Sequence, residues 1–164
     1  MKHWTEKLSK LKACPESVEW ARAYPTMEAA WAECERGDWM LWLVGRVSGA
    51  PGSESRRLVA RAAAACARLA LPAWKAKYPE DTTVEAVILA AERGDPEECR
   101  KAASASSSWA SSASSAAEAA EATWAAAWAS ESAAWAAAWA SRIKRLAECA
   151  EIVRGFYPVP PAMA

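Results

Sequence analysis

The chain has 164 residues, of which 53% are hydrophobic and 24% are charged, with 20 basic residues balancing 20 acidic ones. This length predicts one ordinary domain, and a net charge near zero argues against a non-specific nucleic-acid binder or a polybasic membrane binder. A single histidine, His3, excludes most Ser-His-Asp or Cys-His nucleophile schemes and most histidine-based zinc sites.

The first part of the chain predicts three short helices. Residues 4–13 form the first, and Pro15 suits the first position of a second helix that runs to residue 24. Thr26 is a good N-cap for a third helix over residues 27–36.

A fourth, strongly apolar helix is predicted over residues 39–47. Gly37 suits the left-handed residue that ends the preceding helix, and Asp38 suits the N-cap of the next one. Apolar residues cover nearly every face of this fourth helix, which is typical of a buried helix at the centre of a core. A Gly- and Ser-rich loop follows over residues 48–53.

Two further helices are predicted before residue 95. One extends over residues 54–76 and is expected to bend or end at Pro72. In the other, Thr82 and Glu85 have the spacing of a capping box, and Gly94 again suits a left-handed helix end.

Residues 96–154 contain no glycine and no proline after Pro96. An unbroken helix of this length would be far too long for one compact domain, so we expect a break within residues 104–115 or near residues 130–132. Residues 155–164 predict an extended, Pro-rich tail. The fold class that follows is a single all-α domain over residues 1–164, a compact bundle of seven or eight helices with an Ala/Ser/Trp-rich C-terminal helical region.

Tryptophans in that region repeat with a period of 11 residues. At about 100° per residue, such a period places them on one stripe of a helix. Two interpretations stay open: the stripe packs in the core among small residues, or it lines a groove in which a planar ligand stacks. The stripe comprises Trp124, Trp128, Trp135 and Trp139, with Trp109 near its edge.

The cysteines are far apart and odd in number, with no Cys-x-x-Cys pair. This pattern fits neither a disulfide framework nor a zinc ribbon and favours buried free thiols in a reducing cytoplasm. No apolar stretch is long enough to predict a membrane span, and no motif predicts a cofactor or a metal. The five are Cys14, Cys34, Cys66, Cys99 and Cys149.

Polar residues cluster immediately before and within the apolar fourth helix. Glu35, Arg36 and Asp38 lie beside Trp39, an arrangement expected of an ion-paired helix corner. The alternative is a polar site at the mouth of a pocket, in which Arg36 or Arg46 holds an anion.

Three arginines follow the Gly- and Ser-rich loop. Arg56, Arg57 and Arg61 form either a solvated basic face or a site for a phosphate or an acidic partner surface. Together with Trp128 and Trp135 of the tryptophan stripe, they complete the set of candidate ligand- or partner-binding residues. No catalytic residue is predicted.

Several segments together resemble one protein family. They are residues 34–43, residues 66–70, the Ala- and Trp-rich region and residues 149–154. In these segments the chain resembles the helical immunity proteins of bacteria and phages, the immunity-five-like domain. The resemblance covers most of the chain and implies an all-α intracellular protein that neutralises a toxin by binding it.

Two functions are therefore expected, and neither is enzymatic. The first is an immunity-type protein whose partner is a toxin. The second is a phage-encoded counter-defence protein that blocks a host defence protein or sequesters a nucleotide-like signal, with Trp faces for the base and arginines for the phosphate. A sequestering protein needs an enclosed cavity with an Arg facing a Trp, often between subunits of a homo-oligomer.

Overall fold

A computed structural model describes residues 3–50, 52–94 and 135–163, and within them it contains eight helices and no strand. The predicted all-α class is confirmed. The helices are α1 (Glu6–Lys10), α2 (Pro15–Ala21), α3 (Met27–Glu33), α4 (Gly37–Val47), α5 (Glu54–Arg68), α6 (Leu71–Lys77), α7 (Thr83–Arg93) and α8 (Trp135–Phe156).

α2 and α3 begin at the predicted residues, α1 begins two residues later than predicted, and all three helices end earlier. Pro15 is the first residue of α2, and the Thr26 hydroxyl accepts the backbone N–H of Ala29 at 3.2 Å to cap α3. The chain leaves α1 through Lys12, which has a positive φ of 65°. Each of these helices has two turns or fewer. Helices this short depend on tertiary packing, rather than on local propensity, for their stability.

The prediction for Gly37 and Asp38 is wrong. Gly37 is the first residue of α4 and is not left-handed, whereas Arg36 is the N-cap and Asp38 lies in the first turn. A Cβ built on Gly37 would lie 2.7 Å from the backbone nitrogen of Ala150. The glycine is therefore explained by the close approach of α4 to α8.

Gly94 occupies the left-handed conformation predicted for it. Its φ of 69° and ψ of 28° end α7, and its N–H bonds to the carbonyl of Ala91 at 3.0 Å. The tripeptide Arg-Gly-Asp thus occurs twice in the chain, with glycines that serve two different purposes.

The long helix predicted over residues 54–76 is two helices. α5 ends at Arg68, and Pro72 lies in the first turn of α6. Proline fits there because its missing N–H has no partner to lose in a first turn. The capping box at Thr82 is also wrong: the Thr82 side chain makes no cap bond, and the Asp81 carboxylate instead accepts the N–H of Thr83 at 2.8 Å.

α4 lies at the centre of the core, as its sequence predicts. Met40, Leu43 and Val44 are buried, and α4 packs against α8 and α5. α5 in turn packs against α7 through a second cluster of small and apolar side chains. The largest side chains that are fully buried are Met40, Val44, Val153, Cys66 and Cys149.

The end of α8 and the residues after it fasten the N-terminal helices. Arg154 donates from Nη1 to the carbonyls of Trp31 at 3.0 Å and Cys34 at 2.9 Å. Residues 157–163 form no helix and lie along the body, where Lys7 donates to the carbonyl of Met163 at 2.7 Å. The predicted start of the tail at residue 155 is wrong, because α8 runs to Phe156. Residues 157–163 are non-helical, as predicted.

Several predictions fall outside the described residues. They concern the helix break within residues 104–115 or 130–132, and Trp109, Trp124, Trp128 and Cys99. Trp135 and Trp139 belong to α8, but their side chains are not among those described. In the part of the chain that the structure describes, no helix has both the length and the apolar character needed to cross a membrane.

Candidate functional site

A cavity of about 470 Å³ lies between the first two helices and the α3–α4 pair. Five tryptophans line it, because each of α2, α3 and α4 and the segment before α1 contributes at least one indole. Small or flexible side chains, among them Ala21, Ala30 and Met40, and several charged or polar residues form the rest of the lining. The indoles belong to Trp4, Trp20, Trp31, Trp39 and Trp42.

Two of these indoles are fixed by bonds to backbone carbonyls. Trp4 donates from Nε1 to the carbonyl of Tyr24, and Trp31 donates from Nε1 to the carbonyl of Tyr157, both at 3.0 Å. Trp20 and Trp39 contact each other with ring centroids 5.8 Å apart and planes inclined at 57°. The walls are therefore largely preformed.

Arg36 stands at the polar edge of the cavity. Its Nε and Nη2 donate to the two carboxylate oxygens of Asp38 at 2.9 and 2.7 Å, and its Nη1 lies 3.4 Å from a Glu16 oxygen. The guanidinium carbon lies 4.1 Å from the centroid of the Trp39 ring, a cation–π geometry. The hydrogen bonds to Asp38 raise the pKa of Arg36 further, so that it stays charged.

The charged residues that line the cavity are balanced in sign. Lys12 and Arg36 are cationic, and Glu16 and Asp38 are anionic. Cys14 and Ser17 add a thiol and a hydroxyl to the same lining, where the Cys14 thiol donates to the Ser17 hydroxyl at 3.2 Å. The cavity thus combines an apolar aromatic interior with an ion-paired polar edge.

Three of the candidate residues meet at this site. Arg36, Asp38 and Trp39 line the cavity together, whereas Glu35 is exposed and is not part of the lining. Arg46 is exposed and directs its Nε toward the carbonyl of Leu11 at 3.4 Å. The predicted ion-paired corner and the predicted pocket mouth are the same place in the molecule.

The three arginines after the Gly- and Ser-rich loop do not reach the cavity. Arg56 donates from Nη1 to the carbonyl of Gly45 at 2.6 Å and to the hydroxyl of Ser48 at 2.8 Å, which completes the end of α4. Arg57 lies 3.7 Å from Glu54, and Arg61 lies beside Gly94. Arg56 is therefore committed to a structural role.

Four of the five indoles that line the cavity were not predicted from the sequence to belong to a binding site. Trp39 was a candidate, and Trp42 lies three residues further along the same helix. Trp4, Trp20 and Trp31 come from three other segments, and no local pattern indicates that short helices direct them to one point. Their own sequence signal is the repeated occurrence of tryptophan in helices of two turns or fewer.

The described residues include no group of three or more His, Cys, Asp or Glu side chains able to hold a metal ion. Cys34 lines the cavity, and its burial raises the pKa of its thiol, which disfavours the thiolate. Cys14 is exposed. The two thiols therefore differ in accessibility: Cys14 can be reached by reagents, and Cys34 is protected.

No family model matches this chain, and comparison with curated proteins and with solved structures finds no significant similarity. The resemblance to the immunity proteins therefore stays a prediction, and the arguments that follow depend on the cavity itself.

Proposed function

We propose that this chain is a non-enzymatic binding protein that takes up a planar aromatic small molecule in the tryptophan-lined cavity. The observation that carries the proposal is the convergence of five indoles from four segments on one space of about 470 Å³. That volume lies within the ordinary range of small-molecule sites.

The arrangement favours stacking over other modes of recognition. An aromatic ring gains about 0.5–1.5 kcal/mol from each well-placed aromatic neighbour beyond the area it buries. Trp4 and Trp31 are held by hydrogen bonds, so little side-chain order is lost on binding. A preformed aromatic cavity therefore supports affinity for a flat ligand.

Of the two functions expected from the sequence, the cavity favours sequestration of a small molecule. An arginine faces a tryptophan at its edge, one of the two features expected of such a site. In a phage or its host, a protein of this kind acts by removing a signal from solution. Neutralisation of a toxin stays a prediction of the family resemblance and requires a partner surface rather than a cavity.

The test uses N-phenyl-1-naphthylamine, an uncharged aromatic dye whose fluorescence rises in apolar sites. We expect the full-length protein to bind it with micromolar affinity and Trp20→Leu to weaken binding by about threefold to tenfold. Trp20 is chosen because its indole nitrogen bonds to no other described residue.

Trp74→Leu is the matched control, since Trp74 lies on α6 and does not line the cavity. The same side-chain change there should leave dye affinity within twofold of the parent. Equal losses in the two variants, or no saturable binding by the parent protein, would contradict the proposed function. Circular dichroism confirms that both variants remain helical.

A further inference from the structure

We infer that the cavity selects an uncharged heteroaromatic ligand over an anionic one, and that Asp38 is the residue that sets this preference. The inference rests on the proposed function and identifies its ligand class. It differs from the sequence-based hypothesis, in which Arg36 holds an anion such as a phosphate.

One of the two donor pairs of Arg36 is already occupied. Its Nε and Nη2, which can match a carboxylate or a phosphate, are both bonded to Asp38. Its Nη1 is directed at Glu16. An anionic group can bind Arg36 in the same bidentate manner only by displacing the Asp38 carboxylate, which loses two charge-assisted hydrogen bonds.

The charges around the polar edge of the cavity sum to zero, so they provide no net attraction for an anion. Lys12 and Arg36 supply two positive charges, and Glu16 and Asp38 supply two negative ones. At short range the attraction of an anion to Arg36 is opposed by the adjacent Asp38, because both interactions follow the same distance dependence. Neither carboxylate is distant from the guanidinium that an anion would approach.

A cationic ligand is disfavoured for a different reason. The face of Trp39 that a cation would occupy is already covered by the Arg36 guanidinium at 4.1 Å. A second cation there would meet the positive charge of Arg36 at close range. The edge therefore discriminates against both signs of charge.

The same residues can form hydrogen bonds with uncharged polar groups of a ligand. A carboxylate offers about four acceptor sites, and Asp38 and Glu16 retain several of theirs. Trp20, Trp39 and Trp42 also line the cavity, and their indole N–H groups bond to no other described residue. A flat ring with donors and acceptors on its edge, the chemistry of a nucleobase without its phosphate, matches this set.

The experiment compares two dyes with one skeleton. N-phenyl-1-naphthylamine is neutral, and 8-anilino-1-naphthalenesulfonate is the same molecule carrying one sulfonate. Dissociation constants are measured by fluorescence titration at low salt for the full-length protein, Asp38→Asn and Glu35→Gln. Since the neutral dye is also more apolar, the decisive quantity is the ratio of the two constants and its change on mutation.

We expect Asp38→Asn to raise the affinity for the sulfonate dye about tenfold relative to the neutral dye, because it frees the Arg36 fork. Glu35→Gln removes the same charge one residue from Arg36, outside the cavity lining, and should change the ratio by less than twofold. Raising the salt concentration should reduce the gain in Asp38→Asn.

The outcomes separate this inference from the proposed function. Saturable binding of the neutral dye with an unchanged ratio in Asp38→Asn, or an equal change in Glu35→Gln, overturns the inference alone. Failure of both dyes to bind the parent protein overturns the proposed function. If Asp38→Asn loses its helical circular dichroism, Glu16→Gln replaces it, with a smaller gain expected because the Glu16 contact is longer at 3.4 Å.

Discussion

Gly37 lies against the backbone of α8 at Ala150, in a space that no side chain can share. A Cβ at position 37 would be 2.7 Å from the Ala150 nitrogen, and closer still to the Cβ of Cys149. Contacts this short do not occur between unstrained atoms, so the absence of a side chain lets α4 approach α8. Met40 and Val153 become fully buried on the two helices that this crossing brings together.

Gly37→Ala is therefore expected to destabilise the protein strongly, by about 2–3 kcal/mol, since the helices must separate to admit one methyl group. The matched control is Gly45→Ala in the same helix, where the nearest atom to a new Cβ is a Val59 methyl at 3.9 Å. That change should be neutral or stabilise by up to about 1 kcal/mol. Urea unfolding followed by circular dichroism measures both, and similar effects at the two positions would contradict the explanation.

Gly94 should respond in the opposite order to substitution. Its φ is positive, and a Cβ there would meet Arg57 at 3.5 Å and Arg61 at 3.6 Å, which are ordinary contacts, so the cost is one of backbone conformation. We expect Gly94→Ala to cost about 1–2 kcal/mol and Gly94→Asn to cost less, because Asn tolerates the left-handed region. At position 37 the larger Asn should instead be worse than Ala. The four variants, measured by urea unfolding, decide between the two roles.

These two glycines show what sequence reasoning can and cannot reach. The Arg-Gly-Asp tripeptide predicts a left-handed helix end in both places, and at Gly94 that local chemistry is sufficient. At Gly37 the reason is α8, more than a hundred residues away in the chain. Helix existence, the Pro15 start and the Thr26 cap depend on neighbours in sequence and could be predicted.

Asp81, and not Thr82, is expected to sustain the start of α7. Asp81→Ala should cost about 1 kcal/mol, whereas Thr82→Ala should change the free energy of unfolding by less than about half of that, because the Thr82 hydroxyl makes no cap bond. Equal losses in the two variants would restore Thr82 as the cap.

The hydrogen bond between Asp81 and the Thr83 N–H also predicts that the free energy of unfolding depends on pH. The Thr83 N–H bond lowers the pKa of Asp81 below its ordinary value of 3.8. Since the folded pKa is the lower one, the contribution of the carboxylate is complete above that ordinary value and is lost as the pH falls through the folded pKa. The stability difference between parent and Asp81→Ala should be constant from neutral pH to about pH 5 and shrink below about pH 4. Urea unfolding as a function of pH checks this.

Arg154 should be the most important of the ion-paired arginines for stability. Its side chain is 19% exposed, and its guanidinium donates to the carbonyls of Trp31 and Cys34. Arg154→Met is expected to cost about 2–3 kcal/mol, because those carbonyls lose a charged donor. In contrast, Arg22→Met removes only an exposed ion pair with Glu19 and should cost less than about 0.5 kcal/mol. Thermal and urea unfolding compare them, and equal costs would contradict the assignment.

The thiols should react with iodoacetamide in two classes. Cys14 is exposed, whereas Cys34, Cys66 and Cys149 are buried. The Cys66 thiol donates to the backbone carbonyl of Cys149 at 3.8 Å. The adjacent Cys149 side chain and burial raise the pKa of Cys66, so it offers little of the reactive thiolate. Peptide mass mapping at pH 8 should find Cys14 alkylated at least about tenfold faster than Cys66 and Cys149.

In denaturant, Cys14 should be alkylated no faster than Cys66 and Cys149. Bound N-phenyl-1-naphthylamine should also slow alkylation of Cys14, since Cys14 lines the cavity. Rapid modification of Cys66 in the native protein would show that α5 and α8 open more readily than the packing of their side chains indicates.

Part of the candidate site could be predicted from the sequence. Arg36, Asp38 and Trp39 are neighbours along the chain, so their proximity follows from helix geometry alone. That Asp38 bonds to Nε and Nη2 of Arg36 depends on rotamers and on Glu16 from another helix, so the choice between the ion-paired corner and the anion site required the structure. The positions of Trp4 and Trp20 depend on how the first helices pack onto α4, which no periodicity encodes.

The fastening of α3 by residues near the far end of the chain has a consequence for synthesis on the ribosome. The carbonyl of Tyr157 accepts the Trp31 indole across 126 residues. At about 5–20 residues per second, roughly 6–25 seconds pass between the translation of these two partners. During that interval the apolar face of α4 has no α8 to cover it, so the nascent chain is a natural client for chaperones. A product truncated before α8 would keep that face exposed and become a target for proteolysis.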